Sequence, residues 1–385
     1  MRKYFKLIFL IIMILPVISD KSLAKVEKIN LNVLNELIIK SKKSQSSALI
    51  VYKDGQLFKK VYLTKKTKIE CNSITKSVVS LAIGKLITDK KLRSIEQPVS
   101  DFYKEFSKAP KNKITIKNLL NHTSGINHSF KGSILNKNTI EFALNKKLDF
   151  EPNTNFDYNN IAVNLLSGIV KKSSGQRLDL YLKNKIFDSL EIKDFSWKID
   201  AYGNPLVMAG LEIFPEDLAK IGQLVLNKGK YKNKRIISEN WFKLTFTASQ
   251  EFSEDYGLLW WLKGGNETFV IDNERINFLR KNKVNNQFVE RIASIKGEYN
   301  YEEYDKKLSN LFGKNYWKDL DKINPLNISK IKVKNSICYS AIGSSGEYLI
   351  ILPKKNLIIV RMMKENDYKN ENNEFYDIED LVKKL

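Results

Sequence analysis

The pattern of apolar and polar positions divides the chain into β-prone ends and a helical middle. Leu31 to Lys43 has the spacing of an amphipathic helix. Ser47 to Leu63 reads as a hairpin, because two apolar β-prone runs flank the tight-turn dipeptide Asp54-Gly55. Glu70 to Lys91 follows as a strongly apolar helix. Its Ile74, Val78, Leu81, Ala82, Ile83, Leu86 and Ile87 fall at helical spacing, and Lys76 is nearly the only charge in its first turns. A helix this apolar belongs in a core.

From Val99 to about Lys113 the chain is irregular and charged. Ile114 to Ile126 reads as a short helix ending in a Thr-Ser-Gly turn. In Asn153 to Lys172, polar turn residues lead into a helix with Ile161, Val163, Leu165, Leu166 and Ile169 on its apolar face, and Ser173-Ser174-Gly175 breaks it. The pattern predicts further helices over Leu178 to Phe187, Pro215 to Asn227 and Ile236 to Ala248, then a strand over Tyr256 to Leu262. Asn266 to Lys334 is long, charged and weakly periodic, and reads as an insertion carrying a few surface helices. Strands return at Ile337 to Ala341, Glu347 to Leu352 and Leu357 to Met363, and Phe375 to Leu385 reads as a closing helix. The fold class is therefore α+β: an antiparallel sheet from the N- and C-terminal parts, flanked by helices, with a mostly helical region between them. We expect one domain over 25–385, its helical region at about 75–250 and the insertion at about 266–334.

Composition adds location and removes partners. The chain has 385 residues, 43% of them hydrophobic, enough for a sizeable core. Arg2, Lys3 and Lys6 precede the apolar run Leu7 to Ile18, and Ser22-Leu23-Ala24 offers small residues for cleavage. This is the pattern of a signal peptide cut near Ala24, which implies a secreted or periplasmic protein. The run is too short to span a bilayer, so no stable membrane span is expected. The net charge of +22 comes from scattered lysines without an aromatic-interleaved stripe, so nucleic acid is not an expected partner. Cys71 and Cys338 are too few for a disulfide framework and are expected as separate buried thiols. Two histidines and two cysteines set well apart offer no metal cluster, and no glycine loop cradles a phosphate, so no cofactor is expected. The pattern is silent on oligomeric state.

Candidate chemistry starts at Ser73 and Lys76. Three residues apart on a helix, they share one face of the first turn. A lysine at the apolar start of a core helix must find partners or give up its proton. A desolvated, neutral lysine can take the proton of a neighbouring serine. Ser-x-x-Lys alone means little, since it recurs at Ser22/Lys25 and Ser329/Lys332. Order and context give it weight: Tyr158 and Asn160 stand just before a helix, and a glycine-rich strand edge runs from Ala341 to Gly346. His122, one of two histidines, is a candidate triad base. It has no obvious companion aspartate and sits at a helix end, where an imidazole bonds loop backbone. His128, in a polar loop, carries less weight.

These segments in this order resemble the serine β-lactamase-like superfamily, on the branch of class C β-lactamases, family VIII-type esterases and 6-aminohexanoate-dimer hydrolases. The resemblance rests on Ser73-Ile-Thr-Lys76, ITIKNLLNHTSGI, Tyr158-Asn159-Asn160, GNPLVMAGLEIFPEDLAKIGQLVLNKGKY, YGLLWW and GSSGEYLIILPKKNLIIV, and covers the mature chain outside 266–334. It implies that Ser73 is the nucleophile, that Lys76 and Tyr158 move the proton, and that Asn160 holds Lys76 and a substrate carbonyl. It further implies an oxyanion hole from the backbone N–H groups of Ser73 and Ser344, with Gly343 allowing close approach. The third motif departs from the penicillin-recognising pattern, which has a basic residue two before the glycine; here that residue is Ala341. A second register would put Gly346 in the glycine position, with Ser344 two before it. Hydrolases of the 6-aminohexanoate type commonly carry Gln where this chain has Glu347. Small esters or amides are the expected substrates. The alternatives are a β-lactamase or D-Ala-D-Ala peptidase, and a non-catalytic cell-envelope binding protein of the same fold.

Overall fold

Helix α1 (Leu31–Lys43) leads into the hairpin β1 (Ala48–Lys53) and β2 (Gln56–Tyr62). Asp54 and Gly55 both take positive φ, 53° and 78°, as a two-residue hairpin turn requires. A two-residue strand β3 (Ile69–Glu70) precedes the central helix α2 (Ile74–Thr88). Helices α3 (Ile116–Leu120), α4 (Thr139–Leu144), α5 (Leu165–Ser174) and α6 (Leu178–Leu182) follow. The strands β4 (Phe195–Trp197) and β5 (Leu211–Ile213) precede α7 (Pro215–Leu226), the hairpin β6 (Lys230–Tyr231) and β7 (Lys234–Arg235), and α8 (Glu239–Thr245). This computed structural model describes residues 29–129, 137–316, 320, 327–364 and 378–385. The expected leader and the start of the closing helix lie outside them. No described helix is long and apolar enough to cross a membrane.

The C-terminal part supplies β8 (Trp261–Lys263), β9 (Asn266–Ile271), α9 (Asn273–Lys281), α10 (Asn286–Ala293), β10 (Gly297–Tyr299), α11 (Tyr301–Phe312), β11 (Lys330–Lys334), β12 (Cys338–Ile342), β13 (Tyr348–Leu352), β14 (Leu357–Met362) and α12 (Ile378–Lys384). The main sheet is antiparallel, in the order β2-β1-β14-β13-β12-β8. Both ends of the chain therefore build one sheet, as the hydrophobic pattern anticipates.

Alternate residues of the central strands enter different cores. Ala48 and Ile50 of β1 and Ile358, Val360 and Met362 of β14 face the large core that contains α2, α5 and α7. Leu49, Val51, Leu357 and Ile359 face a smaller core under α1 and α12. A sheet covered on both faces explains why these strands read as unbroken apolar runs. Cys71 belongs to the first core and Cys338 to the second, so the two free thiols lie on opposite faces of the sheet.

Of the segments that differ from the hydrophobic pattern, three bear on the site. Glu70 belongs to β3, paired with Glu212 of β5, and the helix starts only at Ile74. The Cys71 N–H donates to the Leu211 carbonyl at 2.7 Å, which holds the chain to β5 until it turns. The YGLLWW segment is mostly a corner: Leu259 has φ 61°, and only Trp261–Lys263 is strand. Its Leu259 N–H donates to the Leu120 carbonyl at 2.8 Å, and Ser77 Oγ donates to the Leu259 carbonyl at 2.6 Å. Those tertiary bonds outweigh the β-propensity of the sequence. The 266–334 segment is more than surface helices. β9, β10 and β11 form a second sheet, over a core of its own that includes Ile276, Leu279, Phe288 and Ile292. β10 is only three residues long, and three of the five residues of β11 are lysines, which hides both from a hydrophobic-pattern reading.

Leu81 is wholly buried in the large core and Leu57 is 45% exposed on β2. Leu81→Ala is expected to lower unfolding free energy by about 3 kcal/mol, with Leu57→Ala changing it by less than ~0.5 kcal/mol. Urea denaturation of the two variants checks this.

Candidate active site

The site begins at a sharp turn. Asn72 takes φ 45°, a left-handed conformation that asparagine tolerates better than most residues. It ends the β3 extension and delivers Ser73, half-buried, to the N-terminus of α2. The next amides are used by the helix start: Ile74 N–H donates to Cys71 O, Thr75 N–H to Asn72 O and Lys76 N–H to Ser73 O. Thr75 Oγ1 accepts from Leu211 N at 3.2 Å, which fixes the turn against β5.

Lys76 is 1% exposed. Its Nζ lies 2.8 Å from Ser73 Oγ and donates to the Met208 carbonyl at 2.6 Å. No acidic partner contributes, and burial lowers its pKa to about 7. The Met208 carbonyl is itself placed by Asn164, whose Oδ1 accepts from Val207 N at 2.9 Å and Met208 N at 3.3 Å. Lys76 Nζ also sits 5.0 Å from the centre of the Tyr158 ring.

Tyr158 hydrogen-bonds Ser73, and burial pushes its pKa up to about 12. Its ring is enclosed by aromatics. It stacks on Trp261 at 6.0 Å and lies 4.5 Å from the His122 ring. The corner at 256–260 brings Trp261 and Tyr256 to this place. His122 is a packing residue. Its Nδ1 accepts from Asn159 N at 3.1 Å, so the proton sits on Nε2, which faces Tyr256 Oη at 3.1 Å. Burial, with Lys76 nearby, holds its pKa well below the ordinary value and keeps the ring neutral. His128 bonds Asp157 at 2.8 Å, at the start of the Tyr158 turn.

The two asparagines after Tyr158 divide their work. Asn159 is structural: its Oδ1 accepts from Ile161 N and Ala162 N at 2.9 and 2.8 Å, and its Nδ2 donates to Ile126 O. Asn160 Oδ1 is buried without a hydrogen-bond partner, although the resemblance implies that it holds Lys76. Met208 O takes that place. The 266–334 segment grips this region from outside. Arg275 donates to Asn155 Oδ1 at 2.7 Å, and Asn327 Nδ2 donates to Phe156 O at 3.0 Å.

The third element is the end of β12. A Cβ at Gly343 would lie 2.9 Å from the Cys71 carbonyl and collide with the Glu347 carboxylate. Only glycine brings this strand so close to the turn that carries Ser73. Gly346 instead packs against Arg361, so Gly343 is the glycine at the site and the second register fails. Among the described residues, neither the Ser73 nor the Ser344 amide has a protein partner. Ala341 is 1% exposed within the large core, and a buried methyl binds no carboxylate.

Three residues at the site escaped the motif reading. Met208 acts through its carbonyl, which no side-chain pattern reveals. Asn72 carried no motif, although its place before Ser73 was visible. Glu347 stands out in the sequence only as a departure from Gln. It is 0% exposed, and burial raises its pKa to about 7 against the pull of Asn72, the Ser345 amide and Arg361.

The model of the Beta-lactamase family matches residues 34–383. The N-acetylmuramyl-L-alanine amidase of Bacillus subtilis (strain 168) is 24% identical over 293 residues, 56% of this chain. The chain spans 66% of that relative's length. A candidate beta-lactamase from Bacteroides dorei DSM 17855 shares the fold with a TM-score of 0.63 at 16% identity, over 92% of this chain and 98% of its own. A candidate 6-aminohexanoate-dimer hydrolase from Bacillus anthracis does so with a TM-score of 0.60 at 17% identity, over 91% and 82%. With a family match over nearly all of its length and this fold around it, the chain belongs to the Beta-lactamase family.

Proposed function

We propose that the chain is an exported serine hydrolase that cleaves ester or amide bonds through an acyl-enzyme on Ser73. One observation carries the reading: a buried lysine with no acidic partner stands 2.8 Å from a half-buried serine hydroxyl. Export rests on the basic start and apolar run of residues 1–24.

The geometry supports the following steps. With its pKa near 7, Lys76 is substantially a free amine at neutral pH. It keeps a hydrogen bond to Met208 O and takes the Ser73 proton as Oγ attacks the substrate carbonyl. The oxyanion that forms accepts from the unengaged amides of Ser73 and Ser344. Tyr158 stays protonated, since its pKa is raised, and serves as a shared-proton partner. It gives a proton to the leaving group and is reprotonated from Lys76. Water then repeats the sequence on the acyl-enzyme.

The substrate class follows from Ala341. No cation stands there to bind a free carboxylate beside the scissile bond, so neutral acyl groups fit better than penicillins or D-Ala-D-Ala. The name of the Bacillus subtilis relative adds an amide to the substrates worth testing.

Ser73→Ala is expected to lower p-nitrophenyl ester hydrolysis by at least about 1,000-fold and to abolish labelling by a fluorophosphonate. A wild-type protein that neither hydrolyses the panel of esters, amides and muramyl-L-alanine amide nor labels at Ser73 would sink the proposal. Rapid turnover of a chromogenic cephalosporin would favour a β-lactamase instead. The rate should rise with pH through about 7, because protonated Lys76 cannot accept the Ser73 proton. A stopped-flow acylation profile between pH 5 and 9 measures this.

Lys76 also affects stability. Its pKa is lower in the folded chain than in the unfolded one, so the folded state binds fewer protons between about pH 7 and 10.5. Stability therefore rises with pH across that window. Lys76→Met should remove this rise and increase unfolding free energy at pH 7 by ~2 kcal/mol. Urea titrations at several pH values report it.

A further inference from the structure

The two amides assigned to the oxyanion come from distant parts of the chain. Ser73 opens α2, and Ser344 follows the end of β12. Their separation must be held to a fraction of an ångström for both to bind one oxygen. Backbone pairing does not do this, because β12 and the 71–73 turn share no ladder.

One side chain joins them. Glu347 Oε1 accepts from Asn72 Nδ2 at 3.1 Å, and Glu347 Oε2 accepts from Ser345 N at 3.1 Å. Asn72 immediately precedes the first oxyanion donor and Ser345 immediately follows the second. Asn72 Nδ2 also lies 3.3 Å from Ser345 Oγ, which closes a small ring of bonds. The loop between β12 and β13 is held from its other side as well. Gly343 N–H donates to the Glu347 carbonyl at 2.8 Å, and Arg361 donates to the Gly346 carbonyl. Arg361 in turn donates to Ser46 Oγ at 2.6 Å and Ser44 Oγ at 3.0 Å.

We propose that Glu347 is a positioning residue of the acylation reaction, which sets the gap between the Ser73 and Ser344 amides by bridging Asn72 and Ser345. This deepens the serine hydrolase reading and rests on it. Glu347 is fully buried beneath the loop, so it touches no substrate and acts only through the two donors. Burial raises its pKa, and the Ser345 amide, Asn72 and Arg361 pull the other way, so the carboxylate is held by the two segments it joins. A glutamine of the same shape can keep the bridge, with its Oε1 accepting from Ser345 N and its amide donating to a turned Asn72.

The test compares Glu347→Leu, Glu347→Gln and Asn72→Gly with wild type in ester hydrolysis and fluorophosphonate acylation, alongside thermal unfolding. Glycine suits the positive φ of residue 72 and removes only its side chain. Glu347→Leu and Asn72→Gly should each lower kcat by about 10- to 100-fold with KM changed less than about threefold, since the donors act mainly on the transition state. Glu347→Gln should stay within about threefold of wild type in kcat. Glu347→Leu leaves the Ser345 amide and Asn72 Nδ2 short of an acceptor beside buried Arg361 and should melt below wild type, whereas Asn72→Gly and Glu347→Gln should melt close to it, so the loss of kcat in Asn72→Gly at a nearly unchanged melting temperature separates positioning from a structural role. The combined Glu347→Leu/Asn72→Gly variant should be no slower than the slower single variant, because both break one bridge. Should Glu347→Leu fail to fold, Asn72→Gly and Glu347→Gln decide the matter. Full kcat in Asn72→Gly or in Glu347→Leu, with wild type labelled at Ser73, overturns the bridge and leaves the hydrolase reading intact. A wild type that is not acylated at all overturns both.

Discussion

The structure turns on the desolvation of one ammonium group. Lys76 is 1% exposed, and among the described residues its hydrogen-bond partners are a serine hydroxyl and a backbone carbonyl. A cation with no anion beside it is disfavoured there, so the amine loses its proton near neutral pH. Everything that keeps water from Lys76 contributes to this. The apolar surface of α2, the Met208 loop fixed by Asn164 and the stacked rings around Tyr158 all belong to that enclosure. Replacing the enclosure by solvent would restore an ordinary lysine.

The same enclosure shifts two titratable side chains in opposite senses. Burial acts in opposite directions on an amine and a phenol, lowering Lys76 and raising Tyr158. In the proposed mechanism these shifts make Lys76 the base and Tyr158 the donor. His122, which motif reading might cast as a base, is placed by the same packing as a neutral spacer. It holds the face of Tyr158 and bonds the Asn159 amide.

The 266–334 segment has a small sheet and core of its own, and it reaches the site through the residues before Tyr158. Phe150 joins its core, and Arg275 and Asn327 bond Asn155 and Phe156. On the other side, Ile331 exchanges backbone bonds with Phe252 and Glu254. A segment placed this way braces the Tyr158 turn.

What the sequence by itself determined was local and periodic. α1 and the first hairpin follow from apolar spacing and from Asp54-Gly55. The two-faced sheet follows from the apolar runs at both ends of the chain. The pairing of Ser73 with Lys76 follows from helical spacing, and the absence of a cation from Ala341. What only the tertiary structure decided depends on groups far apart in the chain. The YGLLWW run has strand composition, but bonds from Ser77 and to Leu120 bend it into the corner that puts Trp261 on Tyr158. Lys76 could have met Asn160, and the Met208 carbonyl took that place because Asn164 holds its loop there. Gly343 and Gly346 are equivalent as letters, and only the approach of Cys71 to one and Arg361 to the other tells them apart. Glu347 is an ordinary acid in the sequence. It becomes a bridge only when two segments 275 residues apart fold to the same place, since hydrogen bonds between distant residues leave no period to read.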